Sequence, residues 1–214
     1  MMRYYVESDG RVFLVDRDGM LDLPSAREIP FDLEEVALLS TSVPVTFCVP
    51  HLPRHPLEWP MKDDLTREPR ASPLVREAVH ATMPRVVVEG VCLRGRDVLL
   101  VKGSRGLNEG RWSLPGGFLR FGETPAQGVL REVEEEVGIP ARLEGLLGIK
   151  GKQGATSRLQ WVMIFFRVSV DAEPSPDPDE ISEARFVPLA EAVGLVSDDL
   201  IREMLATLSE DGCL

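Results

Sequence analysis

Apolar and polar positions alternate differently in the two parts of this chain, with a change of rhythm near residue 84. RYYVES and RVFLVD flank Asp9-Gly10, and a second aspartate–glycine pair follows at Asp18-Gly19, so residues 3–23 predict short β-structure with tight turns. FDLEEVALLS, Phe31 to Ser40, patterns as a short helix, and Val43 to Val49 as another strand. Six prolines then fall between Pro50 and Pro73, which predicts an extended connector laid across a surface by Leu52, Leu57 and Trp59. Ser72-Pro73 opens a short helix through about Thr82.

After residue 84 strands and helices alternate more regularly. RVVVEGVCLRG and RDVLLVKG predict two strands joined at Gly95-Arg96, and Trp112 to Leu114 a short strand leading into Pro115-Gly116-Gly117. A helix follows from Pro125 to Val137. Thr124 is placed to cap it, Gln127 completes a T-x-x-Q capping box, and Gly138 with Pro140 ends it. Arg142 to Ile149 and Arg158 to Val170 are strand candidates, Asp171 to Asp179 a loop, Glu183 to Val187 a strand and Leu189 to Val193 a helical turn. Ser197 is read as the cap of a last helix with Leu200, Ile201, Met204, Leu205 and Leu208 on its apolar side. A mixed sheet between helices places the second part in the α/β class, preceded by a small β-rich region.

The Pro125–Val137 segment carries more than a core stripe. Ala126, Val129, Leu130, Val133 and Val137 recur at three- and four-residue steps. At about 100° per residue, Glu132, Glu135 and Glu136 leave the helix on another side. Glu132 then faces like charges at both i+3 and i+4, each pair unfavourable by roughly a few tenths of a kcal/mol. All three sit in the last turns, where the helix dipole favours cations. Arg131 can answer Glu134 or Glu135 but cannot neutralise every carboxylate. A divalent cation would turn the repulsion into ligation, and oxygen donors without His or Cys favour Mg²⁺ or Mn²⁺ over zinc. A solvated acidic face is the ordinary alternative.

Composition narrows the remaining classes. The chain has 214 residues, 43% of them hydrophobic, which is ample for a core. A net charge of -11 argues against a nucleic-acid backbone or an anionic membrane as partner. Anionic small molecules stay open, since a bound metal reverses the local sign. Cys48, Cys92 and Cys213 have no paired spacing, which predicts free thiols in a reducing compartment and no zinc ribbon. With no apolar leader segment and no run of membrane-spanning length, the expectation is a cytoplasmic protein. His51, His55 and His80 read as structural or solvent-exposed rather than metal-binding, because no partner ligands follow them.

The full string GGFLRFGETPAQGVLREVEEEVGI resembles the Nudix box, G-x5-E-x7-R-E-U-x-E-E-x-G-U with U aliphatic. Gly117, Glu123, Arg131, Glu132, Val133, Glu135, Glu136, Gly138 and Ile139 fill its nine fixed positions across 23 residues. The resemblance covers roughly Arg85 to Leu208 and implies an α/β/α sandwich with a mixed sheet. It gives a Nudix hydrolase domain over residues 85–214 and leaves 1–84 as an accessory region. By this resemblance Glu132, Glu135 and Glu136 hold the metal, with the carbonyl of Gly116 as a fourth donor. Glu123 and Arg131 brace loop against helix, beside Gly117. The base is either Glu132 or a carboxylate outside the box, where Asp179, Glu180 and Glu183 are candidates and Glu180 comes first. Lys102, Arg105 and Arg111 are candidates for phosphate, and Phe118 and Trp161 for stacking on a base, with core packing the alternative for Trp161. Gly128 either leaves space near the glutamates or has no special role.

The expected activity is Mg²⁺-dependent hydrolysis of the diphosphate linkage in a nucleoside diphosphate joined to another group, with ADP-ribose or a related dinucleotide or nucleotide sugar foremost. Nucleoside triphosphates and dinucleoside polyphosphates are the alternative substrates. A non-catalytic nucleotide-sensing regulator is the alternative of another class, and a homodimer is a further expectation.

Overall fold

The computed structural model describes residues 2–210, and Cys213 lies outside them. The chain forms two compact units, one comprising Met1–Pro84 with Gln153–Gln160 and the other Arg85–Lys152 with Trp161–Leu214.

In the first unit β1 (Arg3–Ser8) and β2 (Arg11–Phe13) are antiparallel, and β3 (Val15–Arg17) pairs with β4 (Met20–Asp22). Their turns sit at Asp9-Gly10 and Asp18-Gly19, where all four residues have positive φ, the twist that tight hairpins require. Residues 31–40 are not helical. Leu33–Leu38 forms β5, antiparallel to β6 (Val45–Pro50) with a bulge between Glu35 and Ala37. Pairing to an available strand outweighs a weak helical pattern in so short a segment. The sheet order is β2-β1-β6-β5, with β1 and β6 parallel.

The proline-rich stretch is more than a connector. Leu65, in the short helix α1 (Lys62–Leu65), is 1% exposed in the core of this unit. The Trp59 ring lies 5.2 Å from Phe13 and 5.5 Å from Phe31, and Arg11 donates to the carbonyls of Leu57 and Trp59. The Leu57 side chain itself is exposed. α2 (Pro73–Thr82) is capped by the Ser72 hydroxyl, which accepts from the Val75 amide, and it buries Val75, Ala78 and Val79. His55 shares a 2.9 Å hydrogen bond with the Ser8 hydroxyl.

The second unit is a seven-stranded mixed sheet between helices. Its strands are β7 (Arg85–Arg94), β8 (Asp97–Gly103), β9 (Trp112–Ser113), β10 (Gly116–Phe118), β11 (Ala141–Gln153), β12 (Gln160–Val170) and β13 (Ile181–Pro188). The main path runs β11-β12-β7-β8-β13, with β10 added to β7 and β9 to β8. β12 and β7 are parallel, whereas β8 is antiparallel to both β7 and β13.

Side-chain alternation in the two central strands separates two cores. Val88 and Cys92 of β7, with Leu99 and Val101 of β8, meet Val129, Val133 and Val137 of α3 (Pro125–Val137). Val87, Val91, Val98 and Leu100 face the other way, towards α4 (Leu189–Leu195) and α5 (Asp199–Glu210). This is the α/β/α sandwich. The cap of α5 is Asp198 rather than Ser197: its carboxylate accepts from the amides of Leu200 at 2.9 Å and Ile201 at 3.4 Å. Cys48 and Cys92 are buried free thiols. Among the described residues no helix is long and apolar enough to cross a membrane.

Candidate active site

α3 is fixed at both ends. Thr124 and Gln127 form the reciprocal capping box, and Gly138 ends the helix in the left-handed conformation at φ 77. Its three buried valines set the rotation of the helix against β7, which carries the glutamates to the side where β10 lies.

Each box glutamate has a different environment. The Glu132 carboxylate lies against the α-carbon of Gly117, where a Cβ would come within 2.6–2.7 Å of three of its atoms. It also accepts from Arg131 Nη1 at 2.6 Å, and burial is the first cause of its raised pKa. Glu135 is the outermost, held at 3.1 Å by both Arg120 and Arg131. Glu136 is partly buried and accepts from the Gly116 amide at 2.9 Å. Burial pushes its carboxyl up to about 8; the Gly116 amide opposes this, and the charges of Glu132, Glu180 and Glu135 add to it. The tie between Gly116 and Glu136 therefore runs through the amide.

Arg131 makes a two-point ion pair with Glu123, Nε to Oε1 at 2.8 Å and Nη2 to Oε2 at 2.9 Å. It also donates to the Phe118 carbonyl at 3.2 Å. Glu123 in turn accepts from the Arg120 amide at 3.0 Å, so this pair joins the 118–123 loop to the helix. The arginine holds Glu123 down to about 2. Gly128 belongs to the brace: a Cβ there would come within 3.0 Å of Leu119 and 3.2 Å of Glu123, not against the glutamate face.

Beside β10 opens a cavity of about 560 Å³. Glu136, Gly116, Gly117, Glu180, Arg105, Arg111, Phe118 and Trp161 all line it. Glu180 is ion-paired with Arg105. The Phe118 and Trp161 rings face each other at 5.8 Å, and Trp161 also packs on the α5-side core. Lys102 is not part of the lining; its ammonium lies 5.8 Å above the Trp112 ring. Glu183 pairs with Arg185 at 3.3 Å, away from the cavity, and Asp179 is exposed in the loop before β13.

Three charged residues outside the motif also line the cavity: Glu89, Lys152 and Asp198. Lys152 and Asp198 form an ion pair at 2.6 Å. Glu89 is 5% exposed in the middle of β7, and its Oε2 has no hydrogen-bond partner. Burial, then the charges of Glu136, Asp198 and Glu132, push its carboxyl well above the usual range. A signal was present. Glu89 shares the strand parity of Val87 and Val91 within the run VVVEGVC, and a charge inside an apolar run on a strand covered on both faces has to be buried.

Among the described residues, no three His, Cys, Asp or Glu side chains are already gathered into a metal-holding group. Arg131 pairs with both Glu132 and Glu135. The donor set still fits a hard divalent cation: carboxylates and backbone oxygen, with no thiolate or imidazole. The unpartnered Oε2 of Glu89 is a further sign that positive charge is lacking there.

Comparison with known families matches residues 83–208 to the NUDIX domain. The chain belongs to the NUDIX family. An ADP-ribose pyrophosphatase of Methanocaldococcus jannaschii is 32% identical over 106 residues, 50% of this chain and 63% of that protein. A MutT-like protein of Streptomyces ambofaciens is 42% identical over 74 residues, 35% of this chain and 47% of that protein. The chain thus spans less than two thirds of either relative. The crystal structure of a MutT NUDIX hydrolase from Burkholderia pseudomallei aligns with a TM-score of 0.51 at 27% identity, covering 58% of this chain and 97% of that one. The family match begins at residue 83 and leaves residues 1–82 outside it.

Proposed function

We propose that this NUDIX protein is a Mg²⁺-dependent pyrophosphohydrolase, with Mn²⁺ as the alternative ion. It cleaves the diphosphate linkage of a nucleoside diphosphate joined to another group, ADP-ribose or a related dinucleotide or nucleotide sugar. The observation that carries the reading is the composition of one cavity. Its lining combines carboxylates, two arginines and an aromatic pair, groups suited to the metal, the phosphates and the base of such a substrate. The M. jannaschii relative, described as an ADP-ribose pyrophosphatase, supports the choice of substrate class.

Glu132, Glu135, Glu136 and the Gly116 carbonyl would hold the cation, which when bound would neutralise charge on the diphosphate oxygens and favour ionisation of water. Glu123 and Arg131 keep the loop carrying Gly116 and Gly117 seated on α3, so the donors stay in register. Glu180, kept at the cavity wall by Arg105, takes the proton of the attacking water. The water oxygen bonds to one phosphorus, the bridging P–O bond breaks, and the leaving phosphate departs as a monoester. Arg105 and Arg111 orient the phosphates, and Phe118 with Trp161 receives the base.

The test is product release from ADP-ribose, NADH, nucleotide sugars, dinucleoside polyphosphates and nucleoside triphosphates. Each is run with Mg²⁺, Mn²⁺ or chelator, beside Glu136→Gln, with phosphatase coupling to reveal monoester products. Metal-dependent turnover of ADP-ribose or a nucleotide sugar, lost in Glu136→Gln, is expected. Turnover confined to triphosphates or dinucleoside polyphosphates would reassign the substrate. Nucleotide binding without any turnover would replace the enzyme by a sensor.

A further inference from the structure

β10 brings Gly116 and Gly117 into register with Glu89 and Val88 of β7. Three carboxylates converge on these two glycines from two elements, α3 and β7. Glu136 reaches the Gly116 amide from α3, Glu132 lies over Gly117, and Glu89 comes from the sheet beneath. A Cβ at Gly116 would sit 2.6 Å from Glu89 Oε2 and 2.3 Å from the Val88 carbonyl oxygen. The missing side chain is what lets Glu89 lie against the β10 backbone. Glu89 is 5% exposed, it lines the cavity, and its Oε2 has no partner.

Three of the cations near this site already pair with other carboxylates. Arg131 serves Glu123, Glu132 and Glu135, Lys152 serves Asp198, and Arg105 serves Glu180. A carboxylate oxygen is acceptor-only, so an unpartnered one buried among other carboxylates is unfavourable unless a cation or a proton meets it. The side chain also interrupts the apolar series of Val87 and Val91, where Val or Leu would fill the same space without this difficulty. Packing therefore does not explain it.

We propose that Glu89 is a further metal-site carboxylate of this chain, contributed by the central strand and not by the NUDIX motif. It supplies a hard oxygen to the divalent cation held by Glu136 beside Gly116. The inference rests on the reading above that the motif glutamates hold such an ion. It differs from a structural role in what the carboxyl must do. A neutral acid that only props the Gly116 backbone can be replaced by an amide of the same shape. A group that contributes negative charge to a cation cannot.

The experiment is Mn²⁺ binding without substrate, followed by titration calorimetry and by the electron paramagnetic resonance signal of free Mn²⁺. It compares the intact chain with Glu89→Gln, Glu89→Asp and Glu136→Gln. Glu89→Gln is expected to weaken Mn²⁺ binding by about tenfold or more while the metal-free variant stays folded by circular dichroism. Glu89→Asp keeps the charge at a shorter reach and falls between Gln and wild type, which keeps the test open should the Gln variant not fold. Mn²⁺ affinity in Glu89→Gln within twofold of wild type, with Glu136→Gln strongly impaired, overturns the role of Glu89 alone. Unchanged affinity in Glu136→Gln as well overturns the reading of the motif on which it stands.

Discussion

Gly117→Ala separates the position of Glu132 from the stability of the fold. Gly117 is not among the positive-φ residues, so alanine takes its backbone conformation without strain. The new Cβ would lie 2.6 Å from Glu132 Oε2 and 2.7 Å from its Cδ and Oε1. Contact becomes ordinary near 3.4 Å, so the carboxylate has to retreat by about 1 Å. Only the end of a flexible side chain moves, and the alanine also narrows the unfolded ensemble, worth roughly 0.4–1 kcal/mol in favour of folding. Thermal stability is therefore expected within about 1 kcal/mol of wild type, a Tm change of about 2–4 °C at most for a chain of this size.

Catalysis responds differently. Misplacing a reacting or ligating group by about 1 Å lowers rate by on the order of 100-fold, equivalent to roughly 2.7 kcal/mol of transition-state stabilisation. The assay is kcat/KM on the best substrate of the panel at saturating Mg²⁺, beside a melting curve of the same preparation. Retention of kcat/KM within threefold at unchanged Tm would refute the argument, because Glu132 would then not act from its place over Gly117. A Tm loss beyond about 10 °C would refute it from the other side, showing that the contact is not with a yielding side chain.

Gly138→Ala should behave in the opposite way. Its φ of 77 is strained for alanine, and the Cβ would meet the Ser175 carbonyl oxygen at 2.0 Å, where backbone must move and the 2.8 Å bond from the Ser175 amide to the Val137 carbonyl is endangered. A loss of about 3 kcal/mol is expected, against about 1–2 kcal/mol for Gly95→Ala, whose φ is 58 but whose Cβ meets nothing within 4 Å; calorimetric melting compares the two. Phe118→Ala removes a half-exposed ring facing Trp161, so KM should rise several-fold with stability within about 0.5 kcal/mol; equal KM values would remove the ring from the binding site. In the first unit Arg17, with the Ser25 amide and hydroxyl, holds Glu28 down to about 2 from 4.5. A depressed carboxyl stabilises the fold above its unfolded pKa, and that contribution fades as pH falls from about 4.5 towards 2. Glu28→Gln should flatten this part of the acid-denaturation profile, and an unchanged profile would contradict the pairing.

Legibility in the sequence followed the kind of interaction that decides each element. Thr124, Gln127 and Gly138 punctuate α3 through contacts within a few residues, so its limits could be read directly. The same holds for the aspartate–glycine turns, whose four positive φ values depend only on their own residues. FDLEEVALLS failed for the converse reason. Its strand is defined by hydrogen bonds to β6, and local spacing does not report a partner strand. In the proline-rich stretch Trp59 packs as its place suggested, but Leu57 is exposed, and the burial of Leu65 depends on distant residues of its unit that composition does not report. Asp198 and Ser197 are both acceptable caps, and the rotation of α5 chooses between them.

Within the candidate site the same distinction separates Glu123 from Glu89. Glu123 and Arg131 lie eight residues apart, and a fixed motif spacing is enough to suggest the pairing that the 2.8 and 2.9 Å contacts make. Glu89 lies more than forty residues before Glu132, and register between β7 and β10 brings it to Gly116. No periodicity within either segment encodes that meeting. What the sequence did hold was a contradiction: a glutamate at an inward position of a strand whose neighbours on that side are Val87 and Val91. Such a residue carries a desolvation cost that packing alone does not recover, and a valine would avoid it. Its presence is explained when its charge is used, and the geometry offers one use, beside Glu136 at the backbone of Gly116. Lys102, by contrast, sits near the end of β8, where the direction of the side chain is open, and the ammonium rests over Trp112 instead of the cavity. Charge where burial is forced thus carries more information about a site than charge where solvent is equally available.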